Sequence, residues 1–180
     1  MVALDSEKRK EMLPAGKIIK AVDLPEEANI ADIGCGAGYL TIPLARKAPQ
    51  DRIFAVDIKP RMLAVLAERA RGLDNITIVH STENNIPVAD NLLDISFLVA
   101  ALHELHNPED FLKEMRRISR FGHYVVVVDW NEKKTDMGPP MHIRIPKDKA
   151  INLFRAHGYE LAKEFAPSEY FYGLLFQHKR

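Results

Sequence analysis

The stretch ADIGCGAGYL, residues 31–40, sets Gly34, Gly36 and Gly38 two residues apart behind an apolar, β-compatible run. A glycine-rich turn between a strand and a helix brings backbone N–H groups and the positive end of the helix against a ligand. A dinucleotide fingerprint, G-x-G-x-x-G/A, wants a small residue at position 39, where this chain has Tyr39. No Gly-Lys-Ser/Thr follows, so the turn is not a phosphate-binding P-loop. Alone, the glycines fit either a ligand cradle or a tight structural turn. A carboxylate sharpens the choice: Asp57 closes the next apolar run, 19 residues after Gly38. In a parallel, doubly wound sheet it comes to lie beside the glycine turn. There it can accept both hydroxyls of a ribose, or cap the helix that follows it.

Other residues could act on a substrate. His103 follows the fourth apolar run, at the strand end where ligands of such sheets bind. An imidazole with an ordinary pKa of about 6.5 could take a proton from an acceptor hydroxyl or amine. It could equally line the site without chemistry or cap a helix. His103 and His106 stand three apart in HELH, whereas the zinc motif H-E-x-x-H needs four, so no metal is expected. Trp130, Met137 and Met141 suit the wall of an apolar acceptor pocket or a cover for the sheet edge. Cys35 has no base identifiable beside it and reads as a packing thiol rather than a nucleophile.

The elements that must position these groups alternate. Asp5 and Ser6 are caps for a helix running to residue 12, and a short helix restarts after Pro14. Strands are predicted at 29–34, 52–58, 75–81, 92–102 and 123–130. The run at 92–102 is too apolar to alternate, as expected for a strand covered on both faces. Helices are predicted at 38–48, 59–72, 108–119 and 147–157, with Pro60 suiting a helix start and Gly72 and Gly158 helix exits. This rhythm means a mostly parallel sheet with helices on both faces. It breaks at the end, where YELAKEFAP and EYFYGLLFQHK are joined by a short turn and should form an antiparallel hairpin over 158–178.

ADIGCGAGYL followed by VDIKPRML resembles the first two motifs of the class I S-adenosylmethionine-dependent methyltransferases. The resemblance implies a Rossmann-like, seven-stranded sheet whose last strand is antiparallel, and S-adenosylmethionine as cofactor. By position, Asp32, Gly34, Cys35, Gly36, Gly38, Tyr39 and Leu40 would wrap its amino-acid end, Asp32 holding the amino group directly or through water. Asp57 would take the ribose hydroxyls, and Ile58 and Met62 would flank the adenine. The family's third motif often carries an Asp where this chain has Thr82 in HSTENNIP, so Thr82, Glu83 and the Asn84 backbone would meet the adenine amine. Ala100 would lie near the sulfonium.

Lys plus Arg and Asp plus Glu number 25 each, so no global field draws the chain to nucleic acid or an anionic membrane. No apolar run approaches a membrane span, and the charged MVALDSEKRKEM start does not resemble a secretory signal. One cysteine excludes an intrachain disulfide. A cytoplasmic, single-domain protein is expected over 1–180, with a helical cap at 1–22 and a cofactor-binding core at 29–130. Its oligomeric state is not legible. The expected reaction is direct in-line methyl transfer to a small molecule or metabolite, where alignment supplies much of the acceleration. An RNA or protein methyltransferase using a local patch, an NAD-dependent oxidoreductase and a non-catalytic cofactor-binding protein stay open as alternatives.

Overall fold

The computed structural model describes residues 7–179; Asp5 and Ser6, the expected caps of the first helix, lie outside them. The chain begins with two short helices, α1 (Glu7–Met12) and α2 (Ala15–Lys20). Then come β1 (Asn29–Ile33), α3 (Thr41–Lys47), β2 (Arg52–Asp57), α4 (Pro60–Arg69), β3 (Ile76–His80) and β4 (Leu93–Val99). A single 3-10 turn (Leu102–Glu104) leads to α5 (Pro108–Ile118), β5 (Ser119–Trp130), α6 (Lys147–Ala156), β6 (Tyr159–Ser168) and β7 (Phe171–His178). The strands form one seven-stranded sheet in the order β3-β2-β1-β4-β5-β7-β6. β1 is paired parallel to β2 on one side and to β4 on the other, so the chain reverses its progress across the sheet there. Ligands of open α/β sheets bind in the crevice that such a reversal opens at the carboxyl ends of the strands.

Alternation along β5 shows how two cores form. Val125 and Val127 face a layer with Phe111, Leu112 and Met115 of α5 and Phe154 of α6. Val126 and Val128 face the opposite layer, with Ile18 and Ile19 of α2 and Leu44 of α3. All four valines are essentially inaccessible, which is why this strand reads as a continuous β-branched run.

The C-terminal hairpin is antiparallel, as expected, but its order is instructive. β7 inserts between β5 and β6, antiparallel to both, leaving β6 at the edge. The apolar FYGLLF run of β7 is buried almost throughout, whereas β6 carries Glu160, Lys163 and Glu164 on exposed positions. Charge on an edge strand blocks pairing with another chain.

Two expected boundaries shift at the ligand side of the sheet. The strand predicted to 102 ends at Val99, because Ala100 takes a left-handed φ of +52° and turns the chain out of the sheet. The helix predicted from 38 begins at Thr41, because Gly34, Gly36 and Gly38 all adopt positive φ and cannot join a helix. Both corrections lengthen the irregular backbone that lines the crevice.

Candidate cofactor-binding and active site

The three glycines of the turn do different work. At Gly38 an added Cβ would collide with the Leu66 side chain of α4, so this glycine permits helix packing. At Gly34 it would come within 2.8 Å of the Ala101 Cβ, on the turn after β4. At Gly36 it would meet nothing within 4 Å. Gly36 thus presents bare backbone to open space at a φ of +55°, an arrangement suited to close approach by a ligand. The turn's amides are largely committed. Gly34 and Cys35 donate to the Val56 carbonyl at 2.9 and 3.0 Å, and Gly38 donates to Cys35 at 3.0 Å. Gly36 donates to Asp57 Oδ2 at 2.8 Å.

Asp57 therefore ties the glycine turn to the start of α4, since its Oδ1 accepts the Lys59 N–H at 2.8 Å. That second bond is the helix-start role that competed with ribose binding in the sequence. The two roles are compatible, because each carboxylate oxygen offers two lone pairs and each has accepted one bond.

Beside these groups a cavity of about 370 Å³ opens at the crevice. Gly34, Gly36, Asp57, Ile58, Met62, Thr82, Glu83 and Ala100 all line it, so the structure brings together most of the positions expected at the cofactor. Ile58 is 49% exposed, unusual for isoleucine and fitting for a platform on which a flat ring packs. Glu83 is held by the Asn107 N–H at 2.7 Å and by His106 Nδ1 at 3.0 Å. Desolvation tends to raise its pKa, but these hydrogen bonds outweigh it and leave the carboxyl below its ordinary range.

Asp32, Cys35, Gly38, Tyr39, Leu40 and Asn84 do not line this cavity. Asp32 is buried beneath the turn and accepts the Thr41 hydroxyl at 2.6 Å. Burial, partly offset by Thr41 and reinforced by Asp57, raises its pKa to about 6. Cys35 packs with Ile42, Leu63 and Leu66. Burial, then the charges of Asp32 and Asp57, push its thiol well above the ordinary range, so it stays protonated. Leu40 belongs to the core under α2. Tyr39 donates its hydroxyl to the Leu13 carbonyl and joins the glycine turn to the N-terminal helices.

His103 also stands off the cavity wall, but it has a defined partner. Its Nδ1 lies 2.8 Å from Oδ1 of the fully buried Asp129, whose Oδ2 accepts the His103 backbone N–H at 3.1 Å. With the proton on Nδ1, the Nε2 lone pair is the basic site. His106 points instead to Glu83, and among the described residues no group of three His, Cys, Asp or Glu suits a metal ion. Trp130 packs into the core: its ring lies 4.2 Å from that of Phe171, with Gly138 and the Arg144 guanidinium against it. Met137 is partly buried beside it and Met141 is exposed. Arg144, itself buried, donates to the carbonyls of Asn131, Lys133, Met137 and Pro139 and so organises the loop after β5.

Sequence reasoning assigned no site role to Arg9, Lys59, Glu104 or Phe111, all on the cavity wall, nor to Asp129. Asp129 had a usable signal, a carboxylate ending a fully buried strand. Arg9 had none, because only folding brings α1 to the crevice.

A methyltransferase domain family matches residues 31–127, more than half of the chain. A demethylmenaquinone methyltransferase of Geobacillus stearothermophilus is 25% identical over 118 residues, covering 64% of this chain and 50% of that protein. The chain thus spans about half the length of the curated relatives it matches. A SAM dependent methyltransferase from Aquifex aeolicus superposes with a TM-score of 0.92 at 27% identity, covering 98% of this chain and 95% of that one. The [4+2]-cyclase SpnF superposes at 0.82 with 16% identity, covering 97% and 84% respectively, a likeness of fold alone.

Proposed function

This chain belongs to the methyltransferase-domain family, and from that premise we propose that it transfers a methyl group from S-adenosylmethionine to a small-molecule acceptor by direct in-line displacement. The observation that carries the reading is the convergence on one cavity of an open Gly36, the Asp57 carboxylate and the exposed Ile58. Asp57 keeps free lone pairs for the ribose hydroxyls, and Ile58 and Met62 form an apolar seat for the adenine. Thr82 and Glu83 face its edge, and Gly34 and Gly36 leave room for the methionine chain. Asp32, beneath the turn, acts on the ammonium end through the turn or an ordered water. When bound, the cofactor supplies an electrophilic methyl activated by its sulfonium.

The protein's part is alignment, and His103 adds a base. Asp129 orients the imidazole, and Nε2 takes the proton of an acceptor hydroxyl or amine as the methyl is transferred. The acceptor is reached from the side of the 3-10 turn and the loop after β5. Relatives named for a quinone acceptor support a small molecule, as does the apolar wall contributed by Leu105 and Phe111. A protein with one buried cysteine acting on a metabolite suits the cytoplasm.

Titration calorimetry with S-adenosylmethionine, S-adenosylhomocysteine and NAD+ tests this. Binding of both sulfur ligands and not of NAD+ is expected. Tight NAD+ binding without either sulfur ligand would refute the assignment.

A further inference from the structure

We propose that Arg9 of α1 is the cation that binds the carboxylate of the cofactor's amino-acid end. The proposal rests on the cofactor reading above and adds a residue from outside the matched domain. A ligand that ends in an amino acid brings a carboxylate into the cavity, and that carboxylate needs donors. The glycine turn is the obvious source, but the amides of Gly34, Cys35, Gly36 and Gly38 are already donated to Val56, Asp57 and Cys35. Asp32 and Asp57 moreover set negative charge against the turn, which disfavours a second anion there unless a cation accompanies it.

The wall of the cavity offers its cations at different ends. Lys59 follows Asp57 and reaches Glu104 at 3.4 Å, on the side expected for the ribose and adenine. His106 is held by Glu83. Arg9 approaches from the other side: its guanidinium sits over the ring of Tyr39, 4.9 Å from the centroid, and Tyr39 closes the glycine turn. The stack leaves the in-plane N–H fork of the guanidinium directed edgewise, the geometry with which arginine meets a carboxylate.

α1 is fastened so that Arg9 arrives there reproducibly. Tyr39 donates to the Leu13 carbonyl, Ser168 donates to the Met12 carbonyl, and Met12 and Leu13 are buried in the core under the sheet. The N-terminal helices then complete the cofactor site as well as packing on it.

The test compares S-adenosylhomocysteine with 5′-methylthioadenosine, which keeps the adenine, ribose and sulfur but lacks the amino-acid end. Dissociation constants come from calorimetry on the unsubstituted chain and on Arg9→Gln, Arg9→Lys and Lys8→Gln, the last removing an exposed charge from the same helix. Arg9→Gln should weaken S-adenosylhomocysteine by roughly tenfold to a hundredfold and 5′-methylthioadenosine by less than about twofold. Arg9→Lys should recover part of the loss, and Lys8→Gln should change neither ligand. Equal weakening of both ligands would overturn the proposal, since Arg9 would then act only by shaping the pocket through Tyr39. Unchanged S-adenosylhomocysteine affinity would overturn it too. If the unsubstituted chain binds neither ligand, the cofactor reading falls with it. If it binds both and only the Arg9 pattern fails, the cofactor reading stands.

Discussion

Replacing Asp32 by Asn should stabilise the ligand-free protein at neutral pH. Asp32 is 2% exposed, and its only side-chain hydrogen bond comes from Thr41. Burial lifts its pKa from 3.8 to about 6, with Thr41 opposing and Asp57 adding to the rise. A folded-state value above the unfolded one means that the native protein binds the proton more tightly. The resulting stability is complete below pH 3.8, declines between 3.8 and about 6, and is absent above. About two pKa units correspond to roughly 3 kcal/mol, an upper figure for what ionised Asp32 costs the fold at pH 8. Asn keeps the shape and can still accept the Thr41 hydroxyl, but carries no charge. Urea denaturation of the two proteins at pH 8 should therefore separate them by up to about 3 kcal/mol in favour of Asp32→Asn, and at pH 4 the gap should nearly close. In the thermal midpoint, the pH 8 difference is on the order of 6–12 °C for a chain of this size. A variant less stable than the parent at pH 8, or a gap that does not change with pH, would refute the reasoning. A stabilised variant with weakened S-adenosylhomocysteine binding would identify the buried charge as one kept for the ligand.

Asp57→Ala should weaken S-adenosylhomocysteine by about 1.5–3 kcal/mol in calorimetry. It should also lower stability, since the amides of Gly36 and Lys59 lose their acceptor. Gly36→Ala and Gly38→Ala share a left-handed strain of about 1–2 kcal/mol but should diverge. Calorimetry should show the Gly36 variant losing affinity as its methyl enters the cavity, while denaturation shows the Gly38 variant losing more stability as it collides with Leu66. His103→Gln should cut kcat on a true acceptor by roughly 10²–10⁴-fold in initial-rate assays, with S-adenosylhomocysteine affinity unchanged. Far from the site, burial and the charge of His178 depress His123 from 6.5 to about 4. Its stability contribution is present above pH 6.5 and is lost as pH falls towards 4. Denaturation of His123→Phe should accordingly miss roughly 3 kcal/mol of the parent's decline across that window.

The alternation of elements, the glycine spacing and Asp57 were readable in the chain because they are local. A strand buried on both faces must be apolar throughout, as VVVV of β5 is, and a tight turn needs residues that tolerate positive φ. Residue order also carried the pairing of the last two strands, since a short turn allows only an antiparallel hairpin. It did not carry where that hairpin docks: the insertion of β7 beside β5 depends on which strand could best be enclosed by both helical layers. Nor could it sort the three glycines, whose separate neighbours are Ala101, open space and Leu66. Trp130 looked like a pocket residue by type, and packing against Phe171, Gly138 and Arg144 turned it into core. The pairing of His103 with Asp129 spans 26 residues and the approach of Arg9 to the cavity spans more than a strand and a helix. Contacts of that range leave no periodic trace in a sequence. Composition and spacing decide which elements form and what chemistry they could carry, and close packing in three dimensions decides which side chains meet.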